Sequence, residues 1–228
     1  MIVMSESQVP KWINKENVNI IYHRDYIPEE YLPTFNSNTI ECFFPKLPEV
    51  SEYFIYGNDD VFITSYCDKS LFFENTTPVY FLKLRLKNES WVGDILRSKD
   101  RELILGKADK YVDDIQHTIM PYRMSTAKEV FELHKDTILN SIDKFRKQDQ
   151  YNQWIFSMYQ HYYKDHINRR MKFFHTEISK RKREKYDVDW KKFNTICLND
   201  SKDTNEEELL IVKNKFEKLF PNKSKYEI

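Results

Sequence analysis

The apolar positions of this chain fall in short runs between polar and turn-forming residues, and their spacing predicts strands interleaved with helices. Residues 18–22 (VNIIY) form a short run of strand type, followed by a turn-rich stretch with prolines at 28 and 33. Asn36 and Ser37 are good helix N-cap types, and Ile40, Phe43, Phe44 and Leu47 follow at helical spacing. Pro45 is expected to end or kink that helix. Residues 53–56 (YFIY) read as a buried strand that stops at Gly57, and extended structure resumes over 61–64. Residues 79–86 alternate, with Tyr80, Leu82, Leu84 and Leu86 on one face of what reads as a single strand. Residues 127–145 and 151–163 are expected to be helical, with Val130, Phe131, Ile138 and Ile142 near helical spacing. Residues 169–185 are a basic segment, expected as a solvated helix or loop. Residues 193–198 form another strand, closed by Asn199-Asp200, and 206–220 an amphipathic helix. The interleaving favours an α/β architecture.

Composition narrows the function classes. The 228 residues are enough to bury a core, and 36 Lys and Arg balance 36 Asp and Glu. That balance argues against a dedicated nucleic-acid binder, which carries a basic excess. The 15 Tyr and 16 Phe suit core packing and sugar stacking equally. With only 3 glycines, neither GxGxxG nor GxxxxGK[ST] occurs, so any phosphate must be held by side chains and isolated backbone amides. Cys42, Cys67 and Cys197 are odd in number and show no CxxC spacing, which fits a reducing compartment. The N-terminus has no basic region followed by an apolar run, so no signal peptide is expected. No apolar stretch is long enough to span a bilayer, so the chain is expected to be soluble or at most peripheral.

The candidate chemistry lies at Asn58-Asp59-Asp60. At a turn just after Gly57, two adjacent carboxylates can converge on one site beyond the end of a strand, where ligands of open α/β sheets bind. A carboxylate pair there can hold a divalent cation, which neutralises a diphosphate. Asn, Asp and Gly are also common in solvated turns, and the motif alone favours that plainer reading.

The surrounding residues change the weighting. LPTFNSNTIE at residues 32–41, then FIYGNDDVF at residues 54–62, resembles the second conserved block of the Stealth family, roughly LPTFxSxxIE, a helix and FxYxNDDxF. QVPKWI and the His23-Arg24-Asp25 stretch resemble the family's lead into that block. Gln116-His117, Met120-Pro121-Tyr122, Phe145-Arg146, Asp149 and Asn152-Gln153-Trp154 resemble the third block. Ile196-Cys197-Leu198-Asn199-Asp200 resembles the fourth, and Phe220-Pro221-Asn222-Lys223-Ser224 looks like a family C-terminus. The family's opening block, a strand followed by TWVDG or a close variant, has no counterpart here. The chain is therefore expected to start after it, as one N-terminally shortened domain over 1–228. Residues 1–115 would be an α/β part with the Asn-Asp-Asp turn, and 116–228 a mainly helical part with the third and fourth blocks. The opening block contributes to the nucleotide-sugar site in the family, and a missing strand would leave unpaired backbone groups on its neighbour.

The resemblance implies an α/β fold with a mixed or mostly parallel sheet, flanking helices, a glycosyltransferase-A-like arrangement and a helical C-terminal half. It implies transfer of a hexose-1-phosphate or (N-acetyl)hexosamine-1-phosphate unit from a nucleotide sugar to a glycan hydroxyl. The product is a phosphodiester in bacterial capsular or surface polysaccharide. The implied catalytic residues are Asp59, Asp60, His117 and Arg146. Asp59 and Asp60 would orient the acceptor or hold a divalent cation (Mg²⁺ or Mn²⁺, with Asp60 as ligand), His117 would be the general base, and Arg146 the phosphate clamp. Ser37, Glu41, Asn58, Asn199 and Asp200 would bind substrate. The partners are the nucleotide-sugar donor and the glycan acceptor, and the place is the cytoplasm, at the inner face of the membrane. Each residue has a plainer reading: a surface histidine, a solvated helix arginine, a cap or a turn. His161 and His166, five apart, read as structural. Two other functions are a shortened non-catalytic remnant that binds glycan or a partner chain, and a metal-dependent phosphoesterase using the same carboxylates and His117.

Overall fold

The computed structural model describes residues 1–107, 110–147 and 150–228; Asp149 of the third block lies outside them. Two strands open the chain, β1 (Ile2–Met4) and β2 (Ile20–Tyr22), paired in parallel. Helix α1 (Ser37–Cys42) starts where the cap residues predict it, with the Asn36 side chain accepting from the Asn38 backbone N–H. Pro45 sits in a single 3₁₀ turn just after it, as its missing donor requires. Strands β3 (Tyr53–Tyr56) and β4 (Val61–Ile63) flank the Asn-Asp-Asp turn.

Residues 79–86 are two strands rather than one. Strand β5 (Phe73–Glu74) pairs antiparallel with β6 (Thr77–Tyr80), and β7 (Leu82–Leu86) belongs to another sheet. The chain changes partner at Phe81, and the Asn168 side chain receives the Leu82 N–H at 3.2 Å. Leu84 and Leu86 are exposed, so the alternation does not mark one buried face.

Helix α2 (Val92–Leu105) has no counterpart among the elements read from the apolar pattern. Its buried positions include Asp94, Arg97, Asp100 and Arg101, an ionic face that carries no apolar period. Arg85 and Arg97 meet Asp94, while Arg101 meets Asp113. Strand β8 (Tyr111–Ile115) pairs antiparallel with β7, and β9 (Met120–Arg123) with β3.

Helices α3 (Met124–Leu133) and α4 (Lys135–Ser141) replace the continuous helix expected to residue 145. The chain leaves helical geometry at Ile142, because the buried Asn36 amide takes the carbonyls of Asp143 (3.0 Å) and Phe145 (3.2 Å). Helix α5 (Trp154–Tyr163) follows, then β10 (Ile167–Asn168), which pairs in parallel with β6.

The basic segment is not a solvated helix or loop. It contains β11 (Phe173–Glu177) and runs into the short helix α6 (Arg183–Tyr186). Strand β12 (Thr195–Asn199) is buried nearly throughout, parallel to β11 on one side and antiparallel to β4 on the other. A strand covered on both faces reads as a continuous apolar run, as TICL does. Helix α7 (Glu206–Leu219) closes the chain, capped by Asn205.

The class is α/β with small mixed sheets, and the second half adds β9 to β12 to its helices. Two groups of buried side chains organise the interior. The larger packs Phe43, Phe44, Phe131, Ile138, Ile155 and Phe156 between α1, α3, α4 and α5. The smaller joins Ile178, Tyr186, Trp190, Ile196, Leu198 and Val212 around β12 and α7. Strand β3 borders the first and β4 the second, so the Asn-Asp-Asp turn crosses the seam between them. Among the described residues no helix is long and apolar enough to cross a membrane.

Candidate functional site

The turn is fixed from both ends. A Cβ at Gly57 would lie 3.1 Å from Ile119, so the chain passes too close for a larger residue without a shift. Beyond it, the Val61 N–H donates to the Asn58 carbonyl (3.1 Å) and the Leu198 N–H to the Asp60 carbonyl (3.0 Å). Strand β3 is only half-covered, with Tyr53 and Ile55 exposed, which corrects the expectation of a buried strand.

Asp60 sits in a cluster drawn from three segments. The Asn199 amide donates to its Oδ2, as does the Cys197 thiol at 3.4 Å. His117 Nε2 stands 3.9 Å from the same oxygen, ion-pair rather than hydrogen-bond distance. His175, on β11, stacks on His117 with ring centres 5.5 Å apart and planes within 8°, and its Nε2 meets Asn199 Oδ1 at 2.7 Å. Burial alone would raise the Asp60 carboxyl. The neighbouring His117, Cys197 and Asn199 outweigh it and hold the group below its ordinary value. Burial first, then the Asp60 charge, pushes the Cys197 thiol well up, so it serves as a neutral donor. Asp60 Oδ1 and His117 Nε2 are both buried without a hydrogen-bond partner. Asp60, His117 and Cys197 each offer a ligand atom within 4.8 Å of the others.

A second polar group lies across the turn, around Glu41 of α1. Its Oε1 accepts from the Tyr56 hydroxyl (3.2 Å), the Asn58 amide (3.1 Å) and the Gln153 amide (3.4 Å). Burial raises the Glu41 carboxyl to about 6, against the opposing pull of these donors and of the Arg146 charge. Arg146 donates to the Ser37 hydroxyl. The Asn36 amide holds the Arg146 loop against α1, bonding Thr39, Asp143, Phe145 and Gln150 at 2.7 to 3.2 Å. Ser37 and Glu41, one turn apart, therefore do face one region together with Arg146.

The structure thus brings Asp60, His117 and Asn199 together on one side of the turn. Ser37, Glu41, Asn58 and Arg146 gather on the other. It separates Asp59 from Asp60: Asp59 is exposed and lines cavities of about 950 and 650 Å³ with Gln8, His23, Ser37 and Ile40. The two carboxylates have different surroundings: Asp60 takes the side-chain donors of β12, whereas Asp59 reaches the Cys197 thiol only through its charge. Asp200 is exposed past the end of β12 and does not join the cluster. His161 and His166 pack against each other with ring centres 4.3 Å apart and planes tilted by 43°. His175 was hidden inside a run read only for its charge, and Tyr56 and Gln153 inside the motifs that carry their neighbours. Strand alternation placing Phe173 and His175 on one face was the signal available for His175.

These features define an α/β protein with two polar groups gathered at one strand-to-strand turn. The family model for conserved region 2 of Stealth proteins matches residues 1–80, the segment that carries Ser37, Glu41 and the turn. The capsular polysaccharide phosphotransferase fcs1 of Haemophilus influenzae is 31% identical over 165 residues, 67% of this chain and 45% of that protein. LcbA of Neisseria meningitidis, also a capsular polysaccharide phosphotransferase, is 30% identical over 66% of this chain and 44% of its own length. WcwK of Streptococcus pneumoniae, of the same description, is 28% identical over 98% of this chain and 79% of its own. The chain thus spans less than half the length of the Haemophilus and Neisseria relatives. It belongs to the Stealth family.

Proposed function

We propose that this chain carries the phosphotransfer site of a capsular polysaccharide phosphotransferase. It would move a hexose-1-phosphate or (N-acetyl)hexosamine-1-phosphate from a nucleotide sugar to a glycan hydroxyl. The observation that carries the reading is the Asp60–His117 pair, a depressed carboxylate beside a histidine whose Nε2 has no other partner.

In the proposed step the acceptor hydroxyl oxygen attacks the sugar-bearing phosphorus. The new O–P bond forms as the bond to the nucleoside monophosphate breaks, and the hydroxyl proton passes to the His117 imidazole. The Asp60 carboxylate, 3.9 Å away, stabilises the resulting imidazolium. His175 supports the His117 ring by stacking and the Asn199 amide by its hydrogen bond, keeping Asn199 aimed at Asp60. Arg146, oriented by Ser37, clamps phosphoryl oxygens with its planar fork. Asn58, held by Glu41, binds sugar hydroxyls, and Asp59 orients a substrate from the cavities it lines. Asp200 would contribute only through movement of the segment after β12.

The residues fit a divalent cation. Asp60 Oδ1 is a buried oxygen without a partner, and Asn199 has an amide oxygen nearby, which leaves His117 free to take the proton. Mg²⁺ or Mn²⁺ would use these oxygens with water. When bound, the ion would neutralise charge on the diphosphate. A reaction that draws on nucleotide sugars puts the chain in the cytoplasm, at the inner face of the membrane. The same reading takes the fold as glycosyltransferase-A-like.

The test is release of nucleoside monophosphate from nucleotide sugars with and without glycan acceptors. Acceptor-dependent release is expected, falling by about 10²- to 10⁴-fold in His117→Ala and at least as far in Asp60→Ala. A folded wild-type chain without release across nucleotide sugars and acceptors would leave the non-catalytic, glycan-binding reading. Release of free phosphate from sugar phosphates instead would favour the phosphoesterase.

A further inference from the structure

A cavity of about 840 Å³ opens on the His117 side of the turn and shares no lining residue with the two cavities that Asp59 lines. Its walls combine aromatic rings, among them Trp91, Trp154 and Phe173, with Arg97, Arg170, Lys172 and Lys192. Arg97 is engaged by Asp94 at 3.2 Å and Asp114 at 3.7 Å and lies between the Trp91 and Trp154 rings. Asp114, the one carboxylate of the lining, is also held by Arg85.

The other three cations differ. Arg170 lies over the Phe81 ring, 5.0 Å from its centre. Among the described residues no carboxylate is within ion-pair distance of Arg170, Lys172 or Lys192, and all three are exposed. Arg169, next to Arg170 in the chain, is by contrast paired with Glu74. Three cations without carboxylate partners therefore line one cleft, in a chain whose charges balance overall. Their placement is also fixed. The backbone of Lys172 receives the Asn194 N–H at 2.7 Å, which ties the start of β11 to the start of β12. From Lys172 the strand runs roughly 10 Å to His175, longer than one hexose ring. Along it Phe173 stacks on His175, and His175 on His117.

We propose that this cleft binds the growing anionic glycan, with Arg170, Lys172 and Lys192 holding phosphodiesters of repeats already joined and the ring row leading its terminal hydroxyl to His117. The proposal rests on the phosphotransferase reading and adds the cleft and the entry path of the acceptor. A glycan whose linkages are phosphodiesters carries one negative charge per repeat, which matches cations spread along a strand rather than focused on one diphosphate. The donor diphosphate is assigned to Arg146, across the turn. Displacement at phosphorus needs attacking and leaving oxygens roughly in line, so nucleophile and leaving group approach from opposite sides. The two sets of cavities share no lining residue, so donor and acceptor would enter separately.

The test reads binding without turnover, on the full chain, from the fluorescence of the cleft tryptophans. The probe is a poly(glycerol phosphate) oligomer, with a dextran oligomer of equal length as the neutral control and UDP-N-acetylglucosamine as the nucleotide competitor. Expected is binding of the phosphodiester oligomer that weakens with added salt and falls roughly tenfold or more in Lys172→Glu/Lys192→Glu. Dextran should bind far more weakly, and the nucleotide sugar should not displace the oligomer. Arg170→Gln/Lys192→Gln provides a milder second variant, with circular dichroism confirming the fold of each. The proposal is overturned by a wild-type chain that does not bind the oligomer, by unchanged affinity in a folded variant, by equal binding of dextran, or by displacement by the nucleotide sugar. Binding as expected without any nucleotide release would overturn the transfer reaction and leave the cleft assignment standing.

Discussion

Two carboxylates on either side of one turn are driven in opposite directions. Glu41 is rooted in the larger core, fully buried, and receives three neutral donors and only the distant charge of Arg146. Asp60 is half-covered at the edge of the smaller core, with an amide, a thiol and a histidine around it. Burial dominates at the first and raises the group to about 6; at the second, the neighbours overcome burial and the group falls below its ordinary value. Residue type and family motif are similar at both positions, so the contrast comes from the two cores that the chain joins in the four residues 57–60. Environments that push two acids apart are how one site supplies both a fixed charge and a group that can carry a proton near neutrality.

The comparison can be broken from either side. The largest effect expected beyond the Asp60 and His117 substitutions is on the Glu41 side. Arg146→Lys keeps the charge but loses the fork and the fixed Ser37 bond, and should lower acceptor-dependent nucleotide release by about 10²-fold with the fold unchanged. Loss of no more than twofold would remove Arg146 from the site. A smaller effect belongs to Glu41→Gln, which keeps an acceptor for Tyr56, Asn58 and Gln153. Because the folded carboxyl ionises near 6 rather than at 4.5, its contribution to stability is fully present below 4.5 and is lost as pH rises through 6. The variant should therefore be more stable than wild type above pH 6, by on the order of 2 kcal/mol, and should not show that slope. Denaturant titrations at pH 4 and pH 7 would check it. A wild-type chain no less stable than the variant at pH 7 would sink the buried-acid account.

What was legible in the sequence was what local chemistry determines. The Asn36 cap, the stop at Pro45, the turn after Gly57, the apolar run of β12 and helix α7 each follow from a few adjacent residues. The site residues came from the family motifs, and the structure does bring His117 and Asn199 to Asp60 from 57 and 139 positions away along the chain. What stayed hidden depends on distant partners. Helix α2 buries ion pairs instead of an apolar stripe, so its period is invisible to hydropathy. Residues 79–86 alternate correctly but change sheets at Phe81 because Asn168 receives the next N–H. Asp59 and Asp60 look equivalent in the chain and differ only because β12 supplies donors to one of them. His175 becomes part of the site through strand pairing that a count of basic residues does not register.

The central claim is that the seam holds these two carboxyls in opposite protonation states at mildly acid pH. The direct measurement is a carbon-13 NMR titration of the labelled side-chain carboxyls, assigned with Glu41→Gln and Asp60→Asn. The account predicts a Glu41 midpoint near 6 and an Asp60 midpoint below 3.8. Two midpoints near the ordinary values of 4.5 and 3.8, or an inverted order, would contradict it.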